Sequence, residues 1–584
     1  MSDAALASLL PLTVVIPIVG AVAAPLSARV SRSLPLVISV LAMAGTTAVL
    51  LLLAPTVYSG HILTHFMGHW TPVNGKALGI AFGADAFGLT FALVCATVGG
   101  ILLLYTLSEL GRLGRRELGG YACLFQLLLA ALIGSALTGD LFNLFVWFEV
   151  AALSSYGLTG FFLERPLALE AAFKVLVLTT IASFAVFVGT SLLYAQHGAL
   201  NMGQAHDALA GGVHTADLVA LGLLVAGFAT KAGLVPFHGW LPDAHTAAPG
   251  PVSALFSGLM VNLGVIAIAR LTLQVYGPHG RPVLGLVVVV GCVSAVMGAW
   301  LALGQDDLKR LLAYDTISQM GVIAVGFGVG TTAGAAGATY QLVNHALYKA
   351  LLFLCAGNIV HATGLTKLSE MGALGRHRPI TAAAFIVGAA AIAGVPPLNG
   401  YASLGLIHDA LRDGHPAVFA VLLGAQVITI AALVRATYLA FFRKRDATYE
   451  DLEPIRPGML TAFLLLAVGC VALGVLPTVV LPHMIAPAAG ALLAGAAYSR
   501  GVLHAPVSPL PVPHVAFEYF APSEFGTVAG TVLLGLVLAW WYIRRPTQPR
   551  LMSLVRSWHT GSVNDYAAYA AVGLIVAVAV MLTG

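Results

Sequence analysis

One acidic and three basic residues lie inside long apolar stretches of the sequence, namely Glu149, Lys174, Lys231 and Lys349. The chain contains only seven lysines, so composition does not account for three of them lying in such stretches. A charge at the centre of a bilayer costs at least ~2.5 kcal/mol, and such residues usually face a bundle interior and mark an ion or proton path. The four residues are therefore candidates for proton transfer.

The surroundings of these groups favour changes of protonation state. Burial disfavours the ionised form of a carboxyl or ammonium group, whereas an opposite charge nearby favours it. Lys174 lies on the predicted helix that follows Glu149, and we expect the two side chains to pair. A structural salt bridge is the alternative, but buried ion pairs stabilise proteins poorly. For Lys231, the position in the middle of its segment favours a proton carrier over a side chain that reaches the membrane surface.

A second group of candidates lies further along the chain. His345 and Lys349 are four residues apart and therefore share one face of a predicted helix. Histidine titrates near neutral pH and lysine offers a second exchangeable proton, so the pair predicts a relay. A hydrogen-bonded structural histidine is the alternative. A secondary polar path is predicted at Asn262, Asp315, Ser318 and Gln319. For the last three, which lie on the preceding predicted helix, ordinary contacts between helices are the alternative.

No motif indicates a metal ion or a cofactor. The five cysteines are scattered singly through apolar stretches, without the Cys-x-x-Cys or Cys/His spacing of iron–sulfur, zinc or haem sites. Neither a Walker A motif nor a dinucleotide-binding glycine motif occurs. Energy must then come from an ion gradient or from another subunit. The sequence leaves open whether the chain belongs to an enzyme, in which it would be at most a translocase subunit.

The elements that position these residues are predicted to be membrane-spanning helices. Of the 584 residues, 59% are hydrophobic and 9% are charged, and the mean hydropathy is +0.93. Soluble proteins average about 25% charged residues. Apolar stretches near the ~20 residues needed to cross a bilayer recur along the chain. We predict an all-α polytopic membrane protein with about 14 core helices before residue 482 and one or two more near the C-terminus.

Two predicted helices are broken by proline, one at Pro236 and the other at Pro396 and Pro397, about 160 residues later. Unwound backbone at membrane depth is tolerated where it is buried in protein or lines a water-filled cavity. Paired breaks are also typical of transporters built from repeats. Each break lies in a unit of five helices, and an odd number of helices inverts the second unit. The predicted segments are 1–116 (N-terminal helices), 117–275 (first repeat), 276–445 (second, inverted repeat) and 446–584 (C-terminal helices and extension).

Basic residues accumulate in alternate loops, which indicates the orientation in the membrane. If the first helix runs inward, the loops after odd-numbered helices contain most of the arginines and lysines, including Arg165, Lys309, Lys367 and Arg443. The opposite loops contain few, such as Lys76. Because basic loops face the cytoplasm, we predict a multi-pass protein of a bacterial-type inner (cell) membrane with its N-terminus outside. No pattern of a cleaved signal peptide is present.

An ordered set of motifs between residues 80 and 445 resembles one family of membrane proteins. The motifs run from Thr138 to Glu149, Gly198 to Met202, Lys231 to Ala244, Pro251 to Leu259, Leu308 to Arg310 and His345 to Phe353. They resemble the antiporter-like proton-conducting subunits. This family comprises the Mrp sodium/proton antiporter proteins of the D type, the antiporter-like subunits of respiratory complex I and the large membrane subunits of membrane-bound hydrogenases.

The resemblance implies a central row of charged residues and water that couples proton uptake to ion movement. Glu149, Lys174, Lys231 and His345 match functional positions of the family. Two positions differ. The family usually has lysine where this chain has Asn262, and lysine or glutamate where it has Leu404.

The leading hypothesis is a proton-translocating subunit of a multisubunit complex, with cation (sodium)/proton antiport of the Mrp D type. One alternative is a proton-pumping subunit of an NADH:quinone oxidoreductase or a membrane-bound hydrogenase. Another is a scaffold that performs no transport, suggested by Asn262 and Leu404. The expected partners are other membrane subunits, the lipid bilayer, protons and sodium, with no nucleic acid.

Overall fold

The computed structural model describes residues 2–109, 113–444, 449, 452–503, 509–510, 512–544 and 561–583. The first helices are α1 (Asp3–Ala7), α2 (Leu12–Ser27) and α3 (Leu34–Tyr58), followed by strands β1 (Leu63–Phe66) and β2 (Ala81–Ala84) and by α4 (Ala86–Glu109). Next come α5 (Arg115–Leu137), α6 (Leu141–Thr159), α7 (Pro166–His197), α8 (Met202–Ala210), α9 (Thr215–Ala232), α10 (Trp240–Ala247) and α11 (Gly250–Val275).

The second half of the chain continues the pattern. Its helices are α12 (Arg281–Leu303), α13 (Leu308–Gly328), α14 (Thr332–Thr363), α15 (Leu374–His377), α16 (Pro379–Ile392), α17 (Gly400–Arg412) and α18 (Pro416–Phe442). The last are α19 (Pro457–Val475), α20 (Pro477–Leu493), α21 (Gly495–Leu503), α22 (Pro522–Arg544) and α23 (Val563–Thr583). The strands β1 and β2 form one antiparallel hairpin.

The predicted fold class is confirmed. Within the described residues, 15 helices are long and apolar enough to cross a membrane. Two of these are α22 and α23, which leaves 13 before residue 482. The apolar helix α16 is shorter, and α20 and α21 together have the length of a further span that is bent by 86°. Both C-terminal segments therefore have the length of a span. The predicted domain boundary between residues 445 and 446 lies outside the described residues.

The helices of the two predicted repeats begin and end in similar ways. Asp140 caps α6 and Asp307 caps α13, each through a side-chain oxygen that accepts a backbone N–H bond three residues later. The helices that follow in each unit, α7 and α14, are both 32 residues long, and each is followed by a glycine in the left-handed conformation, Gly198 and Gly364. The same local signals thus shape equivalent elements of both units.

The two units also have matching backbone contacts. The amide of Leu141 donates to the carbonyl of Leu200 over 2.8 Å, and the amide of Leu308 donates to that of Thr366 over 2.9 Å. The loop that follows α6 and the N-terminal end of α13 line the same cavity, so the two helices run in opposite directions. Both observations support the repeat organisation, and the inverted symmetry itself stays a prediction.

The first break separates α9 from α10 and contains Pro236. Gly233 has φ +69°, a left-handed conformation that glycine adopts without strain. The indole N–H of Trp240 donates to the carbonyl of Thr230 over 2.8 Å. An unpaired backbone carbonyl in an apolar interior is costly, so this bond lets α9 end inside the protein.

The second break separates α16 from α17 and contains Pro396 and Pro397. Gly394 has φ +71°, and the side chain of Gln426 donates to the carbonyl of Ala393 over 3.2 Å. Glycine and a side-chain donor thus have the same roles here as in the first break. The predicted interruption of two helices by proline is observed at both places.

A buried ion pair anchors α11. Asp85, between β2 and α4, accepts two hydrogen bonds from the guanidinium of Arg270, at 2.9 and 3.0 Å. Gln274 donates a third hydrogen bond to the same carboxylate over 2.9 Å. Burial alone raises the pKa of the Asp85 carboxyl, but Arg270 and these hydrogen bonds hold its pKa below the usual value. The three hydrogen bonds to Asp85 fix one end of the helix that carries Asn262.

The two C-terminal helices pack on different units. Gly535 of α22 lies against Ile430 of α18, in the second unit. Gly573 of α23 lies against Pro236 and Phe237, at the first break. Small residues allow helices to approach closely in a membrane, where apolar side chains gain little from leaving lipid.

Candidate functional site

Lys231 lies in the last turn of α9, immediately before the first break. Its side chain is fully buried, and Nζ lies 5.3 Å from the ring centroid of Phe148. Within the described part of the chain, Nζ makes no hydrogen bond to protein. Burying an ammonium group is costly unless it is paired or hydrated. The position is therefore suited to a group that exchanges its proton rather than to one that stabilises the fold.

Glu149 is the acidic group that interacts electrostatically with Lys231. It follows Phe148 on α6 and is half-buried. The hydroxyl of Ser183 on α7 donates a hydrogen bond to its Oε1. An acidic and a basic group thus face each other on α6 and α9, with an aromatic ring beside the ammonium.

The predicted pairing of Glu149 with Lys174 is wrong. Lys174 instead forms ion pairs with Asp243 over 2.8 Å and with Glu170 over 2.7 Å. The residue of α7 that contacts Glu149 is Ser183, nine positions further along. Nine residues of α-helix span about 13 Å, so Lys174 lies well away from the carboxylate. The sequence correctly placed Lys174 on the helix that contacts α6, but its position along that helix does not match the position of Glu149.

Asn262 lies on α11, the helix between Lys231 and the second group of candidates. One turn before it, the Cβ position of Gly258 is 2.9 Å from the carbonyl oxygen of Ala346, next to His345. Two residues after it, that of Gly264 is 2.4 Å from the backbone nitrogen of Ala232, next to Lys231. Asn262 is fully buried, and its Oδ1 has no hydrogen-bond partner among the described residues. The residue thus lies on the element that joins the two groups, but its amide cannot titrate.

Lys349 and Asp315 form a fully buried ion pair between α14 and α13. The ammonium also donates to the carbonyl of Leu312 over 3.1 Å. His345, one turn before Lys349, is fully buried, and neither ring nitrogen has a partner in the described part of the molecule. Its ring packs edge-on against Tyr348, with centroids 5.6 Å apart. The predicted relay pair thus lies beside a carboxylate, with the imidazole free to accept or donate.

Gln319 extends this group toward the second break. Gln341 donates to its Oε1 over 3.1 Å and to the hydroxyl of Tyr348 over 3.0 Å. The hydroxyl of Ser403 on α17 in turn donates to Gln341 over 2.5 Å. Direct hydrogen bonds therefore connect α13, α14 and α17.

Ser318 does not belong to this chain of contacts. Its hydroxyl donates to the carbonyl of Ala295 on α12 over 2.8 Å and lies 3.4 Å from the hydroxyl of Thr429 on α18. Consecutive residues of a helix point about 100° apart, so Ser318 and Gln319 face different neighbours. Ser318 therefore makes ordinary contacts between helices, which was the alternative to the predicted polar path.

Leu404 lies on α17 in a small apolar cluster with residues of α12, α13 and α18. It is buried, and Gly394 at the second break lies against it. This position offers no group that could carry a proton.

At the end of the bundle where the basic loops lie, sequence reasoning gave no role in proton transfer to four groups, Asp243, Arg310, Glu109 and Lys309. Asp243 bridges Lys174 and Arg310, with an Asp243–Arg310 distance of 2.8 Å. Glu109 and Lys309 line a cavity of about 420 Å³, and Oε2 of Glu109 has no hydrogen-bond partner among the described residues. The sequence could have identified Asp243 as a candidate, because it is an acidic residue within one of the motifs and close to the first break. Glu109 is the last residue of an apolar helix, so no feature of the sequence identified it as a candidate.

His245 is a further missed residue. It is fully buried on α10, and its ring stacks on Phe353 of α14 with centroids 4.8 Å apart. Neither ring nitrogen has a partner within the described ranges. The imidazole interacts electrostatically with both Lys309 and Lys349. It therefore lies between the cavity and the buried pair.

Acidic, basic and neutral polar groups follow one another across the bundle from α6 to α17. Lys231 on α9 and His345 and Lys349 on α14 lie on helices that contact α11, with Asp315 paired to Lys349 and Glu149 opposite Lys231. When titratable groups interact this strongly, protonation of one changes the proton affinity of the next. Such a row can pass protons through a low-dielectric interior without a cofactor.

Comparisons with known proteins agree with this geometry. The family described as "NADH:quinone oxidoreductase/Mrp antiporter, TM" matches residues 138–429. The D-type protein of the Na(+)/H(+) antiporter of Alkalihalophilus pseudofirmus is 32% identical over 428 residues, which cover 72% of this chain and 84% of the relative.

Two further similarities cover more of the chain. The N-type protein of the NADH-quinone oxidoreductase of Desulforudis audaxviator is 32% identical over 480 residues, covering 79% of this chain and 94% of the relative. In the solved structure of the Mrp complex from Dietzia sp. DQ12-45-1b, one chain is 27% identical with a TM-score of 0.77, and the match covers 85% of this chain and 99% of that one.

Proposed function

Because the chain belongs to the NADH:quinone oxidoreductase/Mrp antiporter transmembrane family, we propose that it is a proton-translocating subunit of a multisubunit membrane complex. The proposed activity is sodium/proton antiport of the kind named for the D-type antiporter relatives. Its location is a bacterial-type cell membrane, with the basic loops in the cytoplasm and the N-terminus outside.

The observation that carries the proposal is the ammonium of Lys231, which is fully buried opposite Glu149 and has no hydrogen-bond partner among the residues that the structure describes. Stability does not explain this arrangement, since a buried charge without a hydrogen-bonded partner is a cost to folding. A proton-exchange role does explain it, because each protonation step at one group changes the electrostatic energy of the other.

In the proposed mechanism, a proton held by Lys231 moves toward His345 and Lys349 through the region of Asn262. Asn262 contributes a polar side chain on the connecting helix, and bound water completes the path, since an amide carries no proton. Arrival of the proton at His345 places a positive charge one turn from Lys349, which weakens the hold of the ammonium on its own proton. Asp315 stabilises the charged form of Lys349 between cycles.

We also propose that residues 117–275 and 276–445 act as two inverted repeats. Glu149 and Lys231 belong to the first unit, and Asp315, His345 and Lys349 belong to the second. The matching backbone contacts and the opposed directions of α6 and α13 support this division. Each unit then contains at least one acidic group, at least one lysine and one broken helix.

The proposal is tested in inside-out membrane vesicles that contain the complete complex. The measurement is the collapse of a preformed pH gradient on addition of sodium. Glu149→Gln and Lys231→Ala should each lower exchange per assembled complex at least about tenfold, because general acid–base groups contribute about 10²- to 10⁴-fold. Glu164→Gln and Lys76→Ala are the matched controls, since both side chains are exposed, and they should transport normally. Normal exchange in both site variants would overturn the relay.

A second candidate function is proton pumping in a redox-driven complex. The similarity to the N-type protein of an NADH-quinone oxidoreductase favours it, because it covers 94% of that relative. Purification of the complex from its native membrane distinguishes the two: iron–sulfur or flavin subunits that co-purify support redox coupling, and small membrane subunits alone support the antiporter. A complex that assembles but moves no protons would instead support the scaffold hypothesis.

A further inference from the structure

A buried ion pair links the C-terminal extension to the second broken helix. Nδ1 of His408 on α17 lies 2.9 Å from Oε1 of Glu524 on α22. The exposed fractions of the two side chains are 2% and 3%. Arg412, one turn further along α17, lies 3.3 Å from Oε2 of the same glutamate. The His408–Glu524 pair is thus buried, and the guanidinium of Arg412 lies beside it.

The pair lies at the end of the bundle opposite the basic loops. Arg412 is 30% exposed and the side chain of Asp409 is 53% exposed, so solvent reaches the last turn of α17. His408 follows Leu404 by one helical turn. It therefore stands between an apolar position on α17 and the membrane surface.

A polar route leads toward His408 from the buried lysine pair. The hydrogen bonds from Gln319 through Gln341 reach Ser403 on α17. Ser403 precedes His408 by five residues, which is about 7.5 Å along the helix and about 140° around its axis. A chain of hydrogen-bonded waters that passes around α17 is needed to connect the two side chains.

We propose that His408 and Glu524 form a proton-transfer site at this end of the second unit, with the carboxylate supplied by the C-terminal extension. This inference rests on the proposed function. The family match ends at residue 429, so Glu524 lies outside it. The extension thereby provides a titratable group beside α17, on which Leu404 provides none.

The transfer needs no additional reactant. A proton accepted at Nε2 of His408 gives an imidazolium opposite the ionised Glu524. Transfer of the Nδ1 proton to Oε1 then leaves a neutral imidazole and a protonated carboxyl group. Release of that proton past Arg412 leaves His408 as the Nε2–H tautomer. Tautomer exchange through bound water then returns a proton to Nδ1 and restores the starting state, and one proton has moved outward. The reverse sequence moves one proton inward.

The charged and titratable groups around the pair come from several elements. On α17 and just after it lie Tyr401, Asp409, Arg412 and Asp413, and Tyr519 lies on the segment before α22. The hydroxyl of Tyr401 donates to the carbonyl of Tyr519 over 2.8 Å, which holds that segment against α17. A pH profile of transport therefore reports the whole group and must be compared with that of a control variant.

A purely structural role is the competing explanation, because the pair also holds α22 against α17. The test uses the complete complex in vesicles and measures transport per assembled complex, so a loss of assembly does not imitate a loss of transfer. Glu524→Gln keeps the size of the side chain and one acceptor, but it cannot bind a proton. His408→Gln does the same for the partner. Glu518→Gln is the matched control, since this nearby carboxylate is exposed.

We expect Glu524→Gln and His408→Gln each to lower transport per complex at least about tenfold, with Glu518→Gln unchanged. Glu524→Asp should recover part of the rate with a shifted pH profile. Normal rates and pH profiles in both site variants, in a complex that Glu149→Gln inactivates, would overturn this inference and leave the proposed function intact. A wild-type complex that moves no protons would overturn both.

Discussion

At the scale of single residues, three of the four buried lysines, Lys174, Lys231 and Lys349, differ in their partners rather than in their burial. Lys349 contacts a carboxylate, Lys174 contacts two, and Lys231 faces an aromatic ring with its carboxylate further away. An ion pair at contact distance keeps a lysine charged, whereas a weaker partner leaves its charge sensitive to the rest of the site. The type of residue is the same in all three cases, and the neighbour decides its role.

The pairing of Lys174 with Asp243 predicts a large effect on stability. Asp243→Asn removes a partner of Lys174 whose side chain is 12% exposed, and the side chain of Lys174 itself is only 5% exposed. Removal of one partner from a buried pair costs about 3 kcal/mol or more. We expect a clear drop in the thermal unfolding temperature of the detergent-purified protein, partly reversed by adding Lys174→Met.

Glu170→Gln is the control for this experiment, because Glu170 pairs with the same lysine but is 55% exposed. Its removal should cost less than about 1 kcal/mol, as for exposed ion pairs in general. An equal loss of stability in Glu170→Gln and Asp243→Asn would contradict the assignment of Asp243 as the main partner.

At the scale of elements, glycines set how closely α11 approaches its neighbours. A Cβ atom on Gly264 would lie 2.4 Å from both the carbonyl oxygen of Phe228 and the backbone nitrogen of Ala232. Backbone atoms cannot rotate away as a side chain can. The distance between α9 and α11, and with it the distance from Lys231 to Asn262, therefore depends on the absence of a side chain at this position.

Gly264→Ala should destabilise the protein by about 1–3 kcal/mol, the usual cost of overpacking, and should also slow proton transport. The matched control is Gly285→Ala on α12, where no heavy atom lies within 4 Å of the new Cβ. Alanine is the better helix former, so this change should stabilise by up to about 1 kcal/mol. Thermal unfolding and vesicle transport measure both effects. A stabilising Gly264→Ala would show that α9 and α11 are not in close contact.

At the scale of the whole molecule, the two ends of the bundle differ in charge and in construction. The hairpin of β1 and β2 and exposed Lys76 lie at the end with few basic residues. Arg165, Lys309 and the cavity with Glu109 lie at the other end. Since basic loops remain in the cytoplasm, this asymmetry predicts the orientation of the entire protein.

Cysteine labelling of intact cells tests this orientation. Lys76→Cys should react with a membrane-impermeant maleimide, and Lys367→Cys should react only after the membrane is permeabilised. Both native side chains are exposed, that of Lys367 by 58%. The wild-type chain is the control, because its five cysteines are buried or half-buried. The opposite labelling pattern would place the N-terminus in the cytoplasm.

The sequence by itself determined the fold class, the membrane-spanning helices, the two broken helices and the family. These features follow from local properties: the length of apolar stretches, the effect of proline on a helix, and motifs that occupy consecutive positions. The charged candidates Glu149, Lys231 and Lys349 also stood out, because charges are rare in apolar segments.

Only the tertiary structure decided which of these groups meet. The sequence placed Lys174 on the helix next to Glu149, but the distance along that helix and the rotation about its axis depend on packing. Packing likewise separated Ser318 from Gln319 and brought Glu524 to His408 across 116 positions of the chain. Contacts between distant residues depend on how helices pack against one another, and this packing is determined by residues from the whole sequence rather than by any single segment.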